Sequence, residues 1–262
     1  MDKLVTIIGI GEIGGAVMKE IAKHKGKENV FGVDISDELL EKYRAEGFEV
    51  GKEIPKSSVY IIGVYLTDQV FEVLEKIDCS ENPIVSIEST LMPGTAEKII
   101  AWKQEKGKSF RLVMFPHRFN PNDEEHHVFN LHRIIGAENE EVLKEATEFF
   151  STMMDSSLIH PVSIKVAELS KPVENTYRFI EIAVAEQLKE MCDAKGIDFE
   201  ELRMAASTKW NINIYEARDG IGGKCLPKDT QIISEYYSEN KLFKAAFEFN
   251  EEYKRRHSKE KL

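Results

Sequence analysis

Short, largely apolar runs recur through the first 155 residues, at positions 4–10, Val30–Val33, 59–64, Ile84–Ile87, 112–115 and 133–135. Between them apolar side chains fall at helical spacing, as in Val70, Val73, Leu74 and Ile77. Strands that are apolar on both faces and separated by helices predict a parallel sheet covered on two sides. After about Asp155 the pattern changes. Residues 163–195 read as one long helix, interrupted only by Pro172, where a kink or a loss of stability is expected. Shorter helices are expected at 199–207, 229–237 and 242–257, with a glycine-bearing loop at 218–227. The expected fold is α/β: an N-terminal Rossmann doubly wound parallel sheet in residues 1–155, followed by an all-helical domain in 156–262 built around the long helix. The charged tail, 254–262, is expected to fray. No internal repeat or low-complexity segment is present.

Composition narrows the function. Of 262 residues, 42% are hydrophobic, enough to fill a core in each of two domains. The net charge of -11 argues against a nucleic-acid partner, because phosphate binding needs a basic face. No apolar run approaches the ~20 residues of a membrane span. The first residues run straight into a strand pattern instead of a secretory leader, so a cytoplasmic protein is expected. Cys79, Cys192 and Cys225 are odd in number and show no CxxC spacing, which disfavours a disulfide framework or a structural zinc site. His126, His127 and His132 match no metal-ligand spacing, and no metal is expected.

The first chemical motif is Gly9-Ile10-Gly11-Glu12-Ile13-Gly14. This GxGxxG follows a strand and opens a helix, the context a dinucleotide requires. Gly9 permits the tight turn, Gly11 lets a pyrophosphate approach the backbone, and Gly14 lets helix and strand pack closely. The helix start at Glu12 and Ile13 offers free N–H groups and the positive end of a dipole. Asp34, twenty residues after Gly14, ends the second strand. A carboxylate there accepts both ribose hydroxyls of NAD and repels the 2′-phosphate of NADP. The expected cofactor is NAD.

Three further segments carry a resemblance. They are Glu88-Ser89-Thr90-Leu91-Met92-Pro93-Gly94-Thr95 (STxxPGT), then Ala167-Glu168-Leu169-Ser170-Lys171 with Asn175-Thr176-Tyr177-Arg178 (AELxKxxxNxxR), then residues 220–229 (GxGGxCxxKD). In identity and order they resemble the UDP-glucose/GDP-mannose dehydrogenase family, over essentially the whole chain. The resemblance is to a short form, without that family's C-terminal UDP-binding domain.

Members of that family oxidise a sugar CH2OH to a carboxylate with two NAD, through an aldehyde, a cysteine thiohemiacetal and a thioester that water hydrolyses. The residue types suit this chemistry. A thiol adds readily to an aldehyde, and a lysine stabilises an oxyanion by charge. The resemblance implies Cys225 as nucleophile, Lys171 and Asn175 on one helical face as oxyanion holders, Asp229 positioning the catalytic water, and Thr90 beside the nicotinamide or that water. The expected partners are a small-molecule substrate and a second copy of the chain, docked through the long helix as a homodimer. His117 stands in Phe115-Pro116-His117-Arg118, where the family carries Pro-Glu. It is either a surface histidine or the base that replaces that glutamate. The expected activity is an NAD-dependent oxidoreductase acting on an alcohol. Two alternatives stay open: a single-step hydroxyacid dehydrogenase using Lys171 and Asn175, and a non-catalytic NAD-binding protein.

Overall fold

The apolar run expected at residues 4–10 forms strand β1, Lys3–Ile8, buried along its length apart from a half-buried Leu4. The computed structural model describes residues 2–120, 123 and 125–257, so the end of the charged tail, 258–262, lies outside the described residues. After β1 come α1 (Glu12–Lys25), β2 (Val30–Val33), α2 (Asp37–Ala45), β3 (Glu49–Gly51), β4 (Ser57–Ile62) and α3 (Thr67–Lys76). Then follow β5 (Ile84–Ile87), α4 (Thr95–Glu105), β6 (Arg111–Met114), β7 (Arg133–Ala137), α5 (Glu140–Ser151) and β8 (Ile159–Ser163). The sheet runs β3-β2-β1-β4-β5-β6-β7-β8. Its first six positions have the 3-2-1-4-5-6 order of a Rossmann sheet.

Each face of this sheet is covered. Val17, Met18 and Ile21 of α1 and Val142, Ala146 and Phe150 of α5 belong to one buried cluster. Val70, Val73 and Leu74 of α3, with Ala96 and Ile99 of α4, belong to another. The expected doubly wound architecture is therefore present. Helix starts follow local chemistry: the side chains of Ser36 and Asn139 cap α2 and α5 by accepting N–H bonds from Leu39 and Val142. Helix α4 starts differently. Its N-cap is Gly94, and the Glu168 carboxylate accepts the Gly94 and Ala96 N–H groups at 2.7 and 2.8 Å. The Glu of the AELxK segment thus anchors the end of the STxxPGT segment.

Three features differ from the sequence expectation. The sheet is not wholly parallel, since β7 runs antiparallel to β6. Strands β3 and β8 were not foreseen. β3 has only three residues, and β8 carries Pro161 and is largely exposed, as suits an edge strand. Because β8 joins the sheet, the first unit extends past residue 155: the chain divides into compact units Met1–Lys171 and Pro172–Leu262.

The second unit is helical. Helix α6, Ile164–Lys195, runs unbroken through Pro172 and carries on from the first unit into the second. It is followed by α7 (Phe199–Ser207), α8 (Cys225–Tyr236) and α9 (Lys241–His257). Lys254 and the three residues after it are thus helical, not frayed. Phe179, Ile182 and Ala183 of α6 form a core with Ile221, against which Phe247 of α9 packs. Cys192 is buried with Ala185 and Phe199 in a second small core. Among the described residues no helix is long and apolar enough to cross a membrane.

Candidate functional site

The glycine turn after β1 meets the loop after β4, where the strand order reverses. Gly9 has φ +88°, and a Cβ there would sit 2.6 Å from the Gly63 carbonyl oxygen. A Cβ at Gly14 would lie 1.9 Å from the Gly9 oxygen, so α1 can seat on the turn only without a side chain. Gly11 is the opposite case. Nothing lies within 4 Å of its would-be Cβ, which leaves backbone open to a ligand. Just beyond, the first-turn amides of α1, at Glu12 and Ile13, have no carbonyl one turn earlier within the helix.

Asp34 stands at the rim. Its two carboxylate oxygens accept the Ile10 and Ser36 N–H groups, each at 3.0 Å, which fixes its orientation. Each oxygen keeps a second lone pair for a ribose hydroxyl. A cavity of about 360 Å³ opens here, lined by Gly9, Gly11, Asp34, Ile35 and Val64. Lys52 also lines it, a cation the sequence did not single out, but its ammonium is held 2.9 Å from Asp37. Open backbone, helix start and oriented carboxylate, the features expected of Gly9, Gly11, Glu12, Ile13, Gly14 and Asp34, together fit NAD.

Thr90 and His117 lie beyond the C-terminal ends of β5 and β6, the edge where ligands bind in open α/β sheets. Thr90 is half-buried. His117 is not a surface histidine: it is 7% exposed, with Nε2 2.7 Å from Glu88 Oε2. Arg133, fully buried at the start of β7, places Nη2 3.3 Å from the same oxygen. Its guanidinium also lies over the Phe115 ring at 3.6 Å and donates to the Phe115 carbonyl. Burial pushes the Glu88 carboxyl up, but the Arg133 and His117 charges outweigh it and the net shift is downward. Burial and then the Arg133 charge push His117 below its ordinary value, and Lys171 adds to this, against the pull of Glu88. The shifts thus favour an ionised Glu88 beside Arg133 and make His117 harder to protonate. Glu88 and Arg133 were missed as site residues. The available signal was a charge at the end of a largely apolar strand.

In the helical unit Asn175 donates to Asp229 Oδ2 at 2.5 Å. Asp229 is 1% exposed, and Lys228 Nζ is 3.6 Å from its other oxygen. Thr176 adds a bond to the Asp229 carbonyl at 3.4 Å. Cys225 opens α8, one helical turn before Asp229, and is exposed. Cys192 is buried. Cys79 is half-buried, and burial pushes its thiol up. Of the predicted residues, the structure brings Asn175 and Asp229 into contact. It sets Lys171 where its charge is felt by His117. Among the described residues no three His, Cys, Asp or Glu side chains converge as metal ligands.

Glycine turn, switch-point cleft and oriented Asp34 define a dinucleotide-binding protein of the Rossmann class, extended by a helical unit. Comparison with known proteins is more specific. Residues 63–154 match the UDP-glucose/GDP-mannose dehydrogenase family, NAD binding domain, and residues 165–252 match its central domain. Residues 5–53 match the TrkA-N domain. The chain belongs to the UDP-glucose/GDP-mannose dehydrogenase family, and residues 63–154 of its first unit match that family's NAD-binding domain. It is 29% identical to a UDP-N-acetyl-D-glucosamine 6-dehydrogenase of Pseudomonas aeruginosa, over 89% of this chain and 63% of the relative. It is 27% identical to a UDP-N-acetyl-D-mannosamine dehydrogenase of Methanococcus vannielii, over 95% of this chain and 65% of that protein. The structure of a UDP-D-ManNAc dehydrogenase from Pyrococcus horikoshii superposes with a TM-score of 0.83 at 25% identity, covering 97% of this chain and 69% of that one. The chain thus spans somewhat less than two thirds of the two curated relatives' length.

Proposed function

We propose that the chain is an NAD-dependent dehydrogenase that oxidises the CH2OH of a nucleotide sugar to a carboxylate through Cys225. The observation that carries this is the exposed thiol one turn before a buried, Asn175-bonded Asp229, in a chain that also holds a cleft fitted to NAD. Bound NAD supplies the two-electron acceptor. The chain's own residues supply the rest. His117 Nε2 lies 2.7 Å from Glu88 Oε2 as an ion-pair contact, and neither ring nitrogen has a hydrogen-bond partner among the described residues, so a neutral imidazole here keeps a nitrogen lone pair for a proton. His117 is thus the proposed acceptor of the hydroxyl proton, oriented by Glu88. Lys171 balances the developing alkoxide by charge. The Cys225 thiol adds to the aldehyde carbonyl: a C–S bond forms and the oxygen takes the thiol proton, which gives a thiohemiacetal. A second oxidation, for which a second NAD would be the two-electron acceptor, leaves a thioester, and water oriented by Asp229 releases the acid and the thiol. Asn175 holds both Asp229 and the oxyanion.

The expected result is two NADH released per UDP-N-acetylhexosamine consumed, read from absorbance against mass-spectrometric product counts. One NADH per substrate would replace this reading with a single-step dehydrogenase. No NADH from any UDP- or GDP-sugar, with NAD still bound, would leave an NAD-binding protein without turnover.

The proposed partner is a second copy of the chain. Val173, Tyr177, Val184 and Met191 on α6 are each at least 43% exposed. Their spacing of four, seven and seven residues puts them on one stripe, the arrangement a two-fold helix seam uses. Sedimentation at micromolar concentration should give a dimer, and Tyr177→Glu should give a monomer. A monomer from the unmodified chain would remove this proposal.

A further inference from the structure

Cys225 lies midway between two buried anchors. Four residues downstream is Asp229, held by Asn175. Four residues upstream is Ile221, and its neighbourhood is held from two helices at once. On α9, the fully buried Asn250 accepts the Ile221 N–H through Oδ1 at 2.7 Å and donates through Nδ2 to the Ile221 carbonyl at 3.4 Å. One side-chain amide thus satisfies both polar groups of one residue. On α6, the buried Glu186 accepts the Gly220 N–H through Oε1 at 3.1 Å. The Ile221 side chain fills the core beside Phe179 and Ile182. Between the anchors, Gly222, Gly223, Lys224 and Cys225 are exposed. Neither Glu186 nor Asn250 belongs to the segments that carry the family resemblance.

On the reading of Cys225 as nucleophile, we propose that Glu186 and Asn250 are positioning residues: they clamp the Gly220–Ile221 backbone and so set how the chain presents Cys225. A short glycine segment cannot hold a thiol in place by itself, because glycine leaves many backbone states open. Fixing both of its ends removes most of that freedom.

The clamp has a titratable jaw. Burial pushes the Glu186 carboxyl up to about 7, against the pull of the Gly220 N–H, Arg218 and His257. The groups acting on it are Arg218 on the loop, Glu190 on α6, and Tyr253 and His257 on α9, and the charges of Asp219 on the loop and Asp193 on α6 act in turn on Tyr253. Arg256 of α9 is paired to Glu190 at 2.8 Å. Oε2 of Glu186 has no hydrogen-bond partner among the described residues. An ionised carboxylate accepts an N–H roughly twice as strongly as a neutral acceptor. The upstream anchor therefore tightens as pH rises through neutrality.

The test uses the full chain without substrate. Amide exchange is read at Gly220 and Ile221, and timed iodoacetamide labelling of Cys225 is normalised to Cys79, from pH 6 to 8. In the unmodified chain the Gly220 protection factor should rise roughly five- to tenfold across that range. Glu186→Gln keeps the shape and an acceptor oxygen and should flatten the rise. Asn250→Ala should raise Ile221 exchange and change the Cys225 labelling rate by about threefold or more, since rotamer and backbone freedom return. Asn250→Asp, which keeps the Ile221 acceptor, should restore the rate. If Asn250→Ala does not fold, Glu186→Gln decides the matter. Protection at Gly220 that follows the same pH course in Glu186→Gln as in the unmodified chain would overturn the proposal. So would an unchanged Cys225 rate in folded Asn250→Ala. None of these readouts needs turnover. A chain that releases no NADH yet shows the clamp loses only the proposed activity, and an active chain without the effect loses only the clamp.

Discussion

Cys225→Ser is expected to cut NADH release from two per substrate to one, with the aldehyde or its hydrate accumulating. The first oxidation needs a proton acceptor and a hydride acceptor, and neither is the thiol. The second needs a carbon that has added a nucleophile, and a serine hydroxyl adds far more weakly at neutral pH. The second step should fall on the order of 10³-fold, the scale on which removing a covalent nucleophile acts. Stability should hardly change, because the side chain is exposed. Rapid-quench mass spectrometry reads the aldehyde directly. Brief alkylation of the unmodified chain gives an independent answer. Cys225 should label first and buried Cys192 last, with half-buried Cys79 between, slowed further because burial disfavours its thiolate. Two NADH per substrate from Cys225→Ser, together with equal labelling of all three thiols, would take Cys225 out of the mechanism.

The cofactor half of the site was legible because its signal is local. Gly9 is required by its positive φ, Gly14 by its contact with the Gly9 backbone in the same strand–turn–helix, and Asp34 is placed by the length of a single βαβ unit. The long helix was legible because an amphipathic pattern of that length has few other solutions, and Pro172 removed one N–H without ending it. What escaped depends on distant partners. Strand β8 has a proline and little burial, so only its pairing with β7 defines it. Glu88 and Arg133 are 45 positions apart in sequence and meet because β5 and β7 flank β6 in the sheet. His117 could be read as surface or as base until its burial was known. Glu186 looks like one more helix carboxylate, and nothing nearby in the chain announces that it faces Gly220. Local steric rules can be read along a sequence, whereas the pairing of buried charges is set by tertiary packing.

That pairing carries the second large effect. Arg133→Met should destabilise the chain by about 3–5 kcal/mol at pH 8, because it leaves the Glu88 carboxylate buried without its cation. Methionine replaces most of the volume, so a cavity contributes little. Adding Glu88→Gln to Arg133→Met should recover a large part of the loss, since the remaining side chain is then neutral. The sign of the pH dependence follows from the directions of the shifts. Glu88 and His117 both titrate below their ordinary values of 4.5 and 6.5 in the folded chain. Each therefore binds fewer protons folded than unfolded. Their stabilisation is complete above those ordinary values and is lost as pH falls through the folded ones. The unmodified chain should thus lose stability from about pH 6.5 downward, first through His117 and then through Glu88. Removing Arg133 removes the charge that outweighs burial at Glu88 and adds to it at His117, so the variant should lose less on acidification. Urea unfolding at pH 8 and pH 5 measures both effects, and the gap between the two proteins should be narrower at pH 5. A loss under 1 kcal/mol at pH 8, or a gap that widens in acid, would show that Arg133 does not keep Glu88 ionised. His117 would then lose the carboxylate that orients it as a proton acceptor.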